Sequence, residues 1–223
     1  VVSVDTKKKE LVGNYANAGR QWRRKETAVR VNGHDFPGPE VPRAYPYGIY
    51  DVGRNEGFVN VGTDHDTAAF AAASIRGWWR AEGRRLYPNA QEIVITADSG
   101  GSNGPRLRLW KWELQRLADD ADLTLSVCHF PPGTSKWNKV EHRLFSFISS
   151  NWRGEPLRDY ETIVKLIART TTATGLKVAC RLDRRKYATG RQVSDAEMET
   201  VCLERNRFHG DWNYAIKPRQ RIA

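Results

Sequence analysis

Residues 92–104 read EIVITADSGGSNG, and their reading decides the fold. The run Glu92–Ala97 is rich in β-branched residues and free of Gly and Pro, the composition of a buried strand. Asp98 ends the run, and the glycines after it mark a tight turn. Residues 106–121 then show amphipathic helical spacing, and Leu123 to Phe130 alternate as a further strand. Strand, turn, helix and strand in that order form a βαβ unit, whose strands run parallel because only a crossover can join them.

Working upstream, Val1–Asp5 reads as a short strand closed by an acid, and Lys7–Glu10 as a charged turn. Leu11–Tyr15 reads as a returning strand, and residues 16–46 as a basic, Gly- and Pro-containing excursion. YGIYDV (47–52) and GFVNV (57–61) flank Gly53–Glu56 as a hairpin. Thr63–Asp66 supply capping residues for an Ala-rich helix running to Leu86. Downstream, helices are predicted from about Asn138 to Trp152 and from about Asp159 to Thr172. Beyond Gly175, Val178–Leu182 reads as a strand and Ser194–Arg205 as a capped helix. The fold class is therefore α/β: an antiparallel opening meander, then a parallel βαβ half, in one mixed sheet with helices on both faces. Residues 1–175 are expected to form the main domain, with 176–223 an appendage packed on it.

With 39% apolar residues, eight Trp and eight Tyr among 223, the chain can build a core. No apolar run is long enough for a membrane span, and no secretory signal opens the chain. Thirty-six Lys and Arg against 26 acids leave a net charge of +10, which suits either a nucleic-acid partner or a solvated basic surface. Three scattered cysteines without a CxxC pair argue for reduced thiols in a cytosolic protein and against structural zinc.

Against this basic background three acids stand at element ends: Asp5, Asp98 and Glu141. Glu141 opens the helix after the join in CHFPPGTSKWNKVEHRLFSF (128–147). Each acid, taken singly, also suits a turn or a helix N-terminus. Ligand sites gather at strand ends where sheet connectivity switches, and the layout makes the strands ending in Asp5 and Asp98 neighbours. Clustered carboxylates without Cys or His are donors for Mg²⁺ or Mn²⁺. A pair of such ions assists in-line phosphoryl displacement.

VSVDTKKKELVGNY, ITADSGGSNG and HFPPGTSKWNKVEHRLFS together resemble the DDE transposases of bacterial insertion sequences, specifically the Rhodopirellula-type transposase DDE domain. A looser likeness extends to mariner-like transposases, whose third motif is also N-x-x-E, here Asn138–Glu141. Such relatives often carry Asn and His where this chain has Ser99 and Asn103. The resemblance implies a ribonuclease-H-like catalytic domain of the retroviral integrase superfamily. It implies Asp5, Asp98 and Glu141 as a triad holding two Mg²⁺, with Mn²⁺ able to substitute. The implied activity is DNA strand cleavage and 3′-hydroxyl strand transfer in transposition. The implied partners are transposon-end and target DNA, bound by a homodimer or larger assembly, in the bacterial cytoplasm at the nucleoid. An N-terminal end-recognition domain, usual in such proteins, is expected to be absent from this chain. Two other readings are a ribonuclease-H-like nuclease and a non-catalytic DNA-binding remnant of a decayed element.

Candidate DNA contacts are Lys7, Lys8, Lys9, Asn103, Lys136, Trp137, Asn138, His142, Arg184 and Arg185. Each has a plainer reading. Lys7–Lys9 suit a solvated turn, Trp137 a cover for the sheet edge, and His142 a surface histidine. Arg76 and Arg80 share a helix face, which suits either a DNA backbone or solvent. Asp64, His65 and Asp66 look like a metal cluster but are better read as helix caps.

Overall fold

Val2–Thr6 form β1, whose two neighbours run in opposite senses. β2 (Glu10–Leu11) is short and pairs with β3 (Arg43–Asp51). β3 lies antiparallel to β1, with Asp5 opposite Gly48. β4 (Glu56–Gly62) continues the antiparallel meander, while β5 (Glu92–Ala97) lies parallel to β1 with Val4 beside Ala97. β6 (Thr124–His129) lies parallel to β5. The polarity of the sheet therefore switches at β1.

The computed structural model describes residues 1–32 and 37–220. Residues 33–36 of the predicted basic excursion, and 221–223 at the end of the predicted appendage, lie outside the described residues. Among the described residues the sheet has nine strands in the order β7-β4-β3-β1-β5-β6-β9-β8, with β2 beside β3. This is the mixed α/β architecture predicted, an antiparallel meander followed by a parallel half. β7 (Lys177–Asp183) pairs parallel with β4 at one end. β9 (Asn213–Ile216) and β8 (Leu203–Arg205) close the other end, so the segment after Gly175 contributes to both.

The period of two along β1 sends Val2 and Val4 to one face and Ser3 and Asp5 to the other. The first face is covered by α1 (Ala68–Trp78) and α2 (Arg108–Ala121), whose Phe70, Ile75, Trp110 and Leu114 pack on Val4, Ile49 and Ile95. The second face is covered by a π turn (Glu141–Phe145) leading into α3 (Ser146–Asn151), and by α4 (Tyr160–Ala168). There Val140, Leu144, Phe145 and Ile163 pack on Tyr50, Val59 and Val61.

Several boundaries differ from the sequence reading. The second strand is Glu10–Leu11, not 11–15, because β3 begins at Arg43 and pairs only with those two residues. The N-cap of α1 is Thr67, whose hydroxyl accepts from Phe70 N, rather than a residue of 63–66. The helix expected over Ser194–Arg205 stops after one turn, α5 (Asp195–Glu199), which is held by a capping box. Its remainder becomes β8 because pairing with β9 outweighs local propensity.

The second-face helix crosses β3 and β4 where they carry glycine. A Cβ on Gly48 would lie 2.4 Å from Phe145 Cε1 and 3.1 Å from Val140 Cγ2, and one on Gly57 2.6 Å from Leu144 Cδ1. These glycines let the segment bearing Glu141 approach the sheet. Gly48→Ala is expected to cost about 1–3 kcal/mol in chemical denaturation, the usual penalty of overpacking. Gly53→Ala in the exposed hairpin is expected to stay within about 0.5 kcal/mol of wild type.

Candidate active site

Asp5 sits one residue from the end of β1, and Asp98 directly follows β5. The parallel register that sets Val4 beside Ala97 carries these two acids to the same rim of the sheet. Glu141 lies well downstream of both in the chain, and a buried side-chain lock ties its segment to β1. Asn138 is fully buried. Its Oδ1 accepts from Ser3 Oγ, and its Nδ2 donates to Val4 O at 3.2 Å and reaches Asp5 Oδ2 at 3.5 Å. Ser3 Oγ accepts in turn from Val140 N at 2.9 Å. The start of the helical segment is thereby tied to β1, three residues before Glu141. The first turn is π-type, with Ser146 N donating to Glu141 O, a widening common at functional sites.

The acids sense one another. Burial pushes the Asp5 carboxyl up to about 8, and the charge of Asp98, then those of Glu141 and Asp66, push the same way against a hydrogen bond from Thr6 N. Asp98 is raised by burial, opposed by Gly100 N. Glu141 is raised by burial and by Asp98, with Lys7 and His142 pulling down. No cation is among the groups acting on Asp5 or Asp98. All three donors are hard carboxylate oxygens whose mutual repulsion a divalent cation would relieve, so the set fits Mg²⁺ or Mn²⁺. The set is open: among the described residues no three His, Cys, Asp or Glu groups enclose a metal position as they stand.

A buried relay holds the backbone of Asp98. His129 Nδ1 lies 3.0 Å from Asp98 O, which can only accept, so Nδ1 carries the proton. His129 Nε2 then accepts from Tyr214 Oη at 3.1 Å, and that oxygen accepts from Trp110 Nε1 at 3.0 Å. Burial lowers the His129 pKa to about 4, keeping the ring neutral. Ser99 Oγ also bridges to Phe130 O beside the same turn.

The other residues singled out in the sequence scatter. Lys7 is buried, paired with Glu10 and placed 4.7 Å over the Trp152 ring, and its charge also acts on Glu141. Lys8, Lys9, Lys136 and His142 are exposed. Trp137 is 54% exposed and does not cover the sheet. Asn138 is committed to the lock and cannot face DNA. Arg184 pairs with Glu161, and Arg185 with Asp183. Asn103 is fully buried with its Nδ2 unpartnered.

Two further residues neighbour the acids: Asp66, read from the sequence as a helix cap, and Tyr47, which the sequence did not single out. Asp66 accepts from Thr6 Oγ1 at 3.0 Å, and its charge acts on Asp5. Tyr47 lies opposite Thr6 in β3, with a buried hydroxyl that lacks a partner and feels Asp5, Asp66 and Asp98. Asp64 instead accepts from Tyr187 N at 2.8 Å and anchors the chain after β7. Only the Asp-His-Asp spelling before α1 hinted at Asp66; the meeting with Thr6 needs the folded register.

The family model described as Rhodopirellula transposase DDE domain matches residues 1–218. No curated protein matches. A solved Mos1 transposase, in a paired-end complex with the left transposon end, aligns at 14% identity and a TM-score of 0.49, over 74% of this chain and 45% of that one. A Mos1 mariner paired-end complex with Mn aligns at 13% identity and a TM-score of 0.46, with the same coverage. The chain thus spans less than half the length of those solved chains.

Asn138→Ala is expected to lose about 1–3 kcal/mol in denaturant melts, because Ser3 Oγ and Val4 O lose a buried partner. The pH dependence has a defined sign. The unfolded chain releases the Asp5 proton near pH 4, while the folded chain holds it to about 8. Between those values the unfolded state binds fewer protons, so metal-free stability falls as pH rises, and above about 8 this group adds no slope. Denaturation midpoints measured in chelator across that range should fall more steeply for wild type than for Asp5→Asn.

Proposed function

We propose, because the chain belongs to the Rhodopirellula transposase DDE domain family, that Asp5, Asp98 and Glu141 are its catalytic carboxylates. The chain is a transposase DDE domain, a polynucleotidyl transferase by family. Its substrate in this reading is DNA, cut at transposon ends to leave a 3′-hydroxyl that is then joined to target DNA. The observation that supports the reading is electrostatic: the charges of Asp98 and Glu141 both act on Asp5, that of Asp98 acts on Glu141, and burial raises all three carboxyls.

Transposases of the DDE class depend on divalent metal, and the ions in this reading are two Mg²⁺, with Mn²⁺ able to replace them. When bound, such ions neutralise the attacked phosphate and lower the pKa of the attacking water or hydroxyl. The protein's own part is positional. Asp5 and Asp98 are held by adjacent strands, so their separation is set by the sheet. Asn138 and Ser3 tie the segment bearing Glu141 to the strand that carries Asp5. His129, braced by Tyr214 and Trp110, keeps the Asp98 turn in place. The exposed Lys8, Lys9, Lys136, Trp137 and His142 border this rim or its loops, and they contact the DNA strands in this reading. Residues 1–175 carry the chemistry, with 176–223 bracing both ends of the sheet. The working form on paired DNA ends is a homodimer or larger assembly, at the bacterial nucleoid in the cytoplasm. Among the described residues no helix is long and apolar enough to cross a membrane.

Mn²⁺-dependent nicking and 3′-end joining of a duplex carrying the element's ends tests the assignment. Ala at Asp5, Asp98 or Glu141 should each lower the rate on the order of 10²-fold or more, with no fall in melting temperature. Full activity in all three variants would remove the assignment. Cleavage of an RNA–DNA hybrid without end joining would turn it toward a nuclease.

A further inference from the structure

A second cluster of charge lies away from the acid rim, where α1 runs alongside β7. A cavity of about 240 Å³ there is lined by Arg76, Arg80, Arg181 and Arg185, with Asp183 in its wall and Asp120 Oδ2 beside it, 3.2 Å from Arg76 Nε and 3.5 Å from Arg80 Nη2. The cluster is built rather than incidental. Arg181 Nε donates to Asn60 Oδ1 at 2.8 Å, and the fully buried Asn60 donates to Ser74 Oγ and to Asp183 Oδ2. Arg185 is gripped by Asp183 through Nε at 2.9 Å and Nη2 at 2.6 Å. Gly77 makes room: a Cβ there would lie 1.9 Å from Arg181 Nη2. Arg76 is half-buried, and its Nε stands 3.2 Å from Asp120 Oδ2, yet among the described residues neither its Nε nor its Nη2 finds a hydrogen-bond partner. Burial is the first influence on both Arg76 and Arg181, and it disfavours their charge.

Buried polar groups are normally paired, and a guanidinium held out of water without an acceptor is costly. Surface arginines that serve solubility alone extend into water and are not fixed by a second layer of buried amides. Preset forks with free donors match an anion of several oxygens, and planar guanidinium suits phosphate best. We propose that the Arg76–Arg80–Arg181–Arg185 cavity is a phosphate-binding site for the sugar–phosphate backbone of DNA, distinct from the acid rim. It rests on the reading of the chain as a DNA-acting domain. The placement fits: Thr67 caps α1 next to Asp66 at the acid rim, and Arg76 lies nine residues further along, about 13 Å at 1.5 Å per residue. A duplex engaged at the rim can therefore rest a neighbouring phosphate in the cavity.

The test uses Arg76→Gln/Arg80→Gln, which leaves Arg181 and its buried partners intact. Fluorescence anisotropy with a DNA duplex is followed over a range of KCl concentrations. The variant is expected to bind several-fold more weakly whatever the sequence, with the slope of log K against log salt smaller by about 1, one phosphate contact. Its melting temperature should not fall, since a poorly partnered buried charge has gone. In a second arm, melting is compared in potassium phosphate and in KCl at equal ionic strength. Phosphate is expected to raise the wild-type midpoint and not that of the variant. An unchanged salt slope overturns the DNA-backbone site; a phosphate shift lost in the variant despite that slope would reassign the cavity to a free phosphorylated ligand. If wild type binds no DNA, the function proposed for the acid rim fails, and the phosphate arm alone decides whether the cavity binds an anion.

Discussion

The amide of Asn138, buried against β1, is the contact on which the rest of the site depends. One end accepts from Ser3 and the other donates to Val4 O and reaches Asp5, while Ser3 also accepts from Val140 N. Sliding the helix by one residue would strand these groups without water, at about 1–3 kcal/mol for each. Hydrophobic packing alone would not be so exacting. Val140, Leu144 and Phe145 would tolerate small shifts against Tyr50 and Val59, whereas a satisfied polar set has one geometry. The lock therefore gives Glu141 a defined position with respect to acids more than forty residues away along the chain.

The acids themselves oppose the fold. Partial burial and mutual repulsion make each costly in its charged form, and Asp66 adds a fourth charge beside Asp5. The structure tolerates this because strong elements carry them: β1 is central, with partners on both edges, and Asp98 is braced through His129, Tyr214 and Trp110. That brace joins the last strand to the turn after β5. The C-terminal segment thus braces the Asp98 turn from a distance, through Tyr214. Tyr47 and Asn103 remain with unpartnered buried polar atoms on the neighbouring side, where a bound group would find donors.

The basic residues divide by what they already touch. Lys7 is paired with Glu10 and packed over Trp152, and from there its charge acts on Glu141. Lys8, Lys9, Lys136 and His142 are exposed, and their burial gives them no structural task. Arg181 is the reverse case, held by Asn60, and Arg76 beside it keeps buried donors without a hydrogen bond among the described residues. A net charge of +10 says only that anions are attracted; pre-orientation distinguishes a site from a halo.

The amino-acid order by itself marked most of the elements and the residue types from which the chemistry is proposed. Alternation and β-branching marked β5, β6 and the β3–β4 hairpin, helical spacing marked α1 and α2, and three acids at element ends in a basic chain pointed to a metal-binding, phosphate-directed site. These signals are local, written in periods of two and 3.6, or in a residue's place at an element's end. Tertiary structure alone decided that Asn138 is a brace and not a DNA contact, that Asp66 meets Thr6, that His129 holds Asp98, and that residues 203–205 pair as a strand instead of ending a helix. Each of these is a contact between residues far apart in the chain, made possible only once strand order and register exist. Long-range polar pairing leaves no periodic trace in sequence, because nothing in the neighbours of Asn138 reports what Ser3, 135 residues away, will offer it.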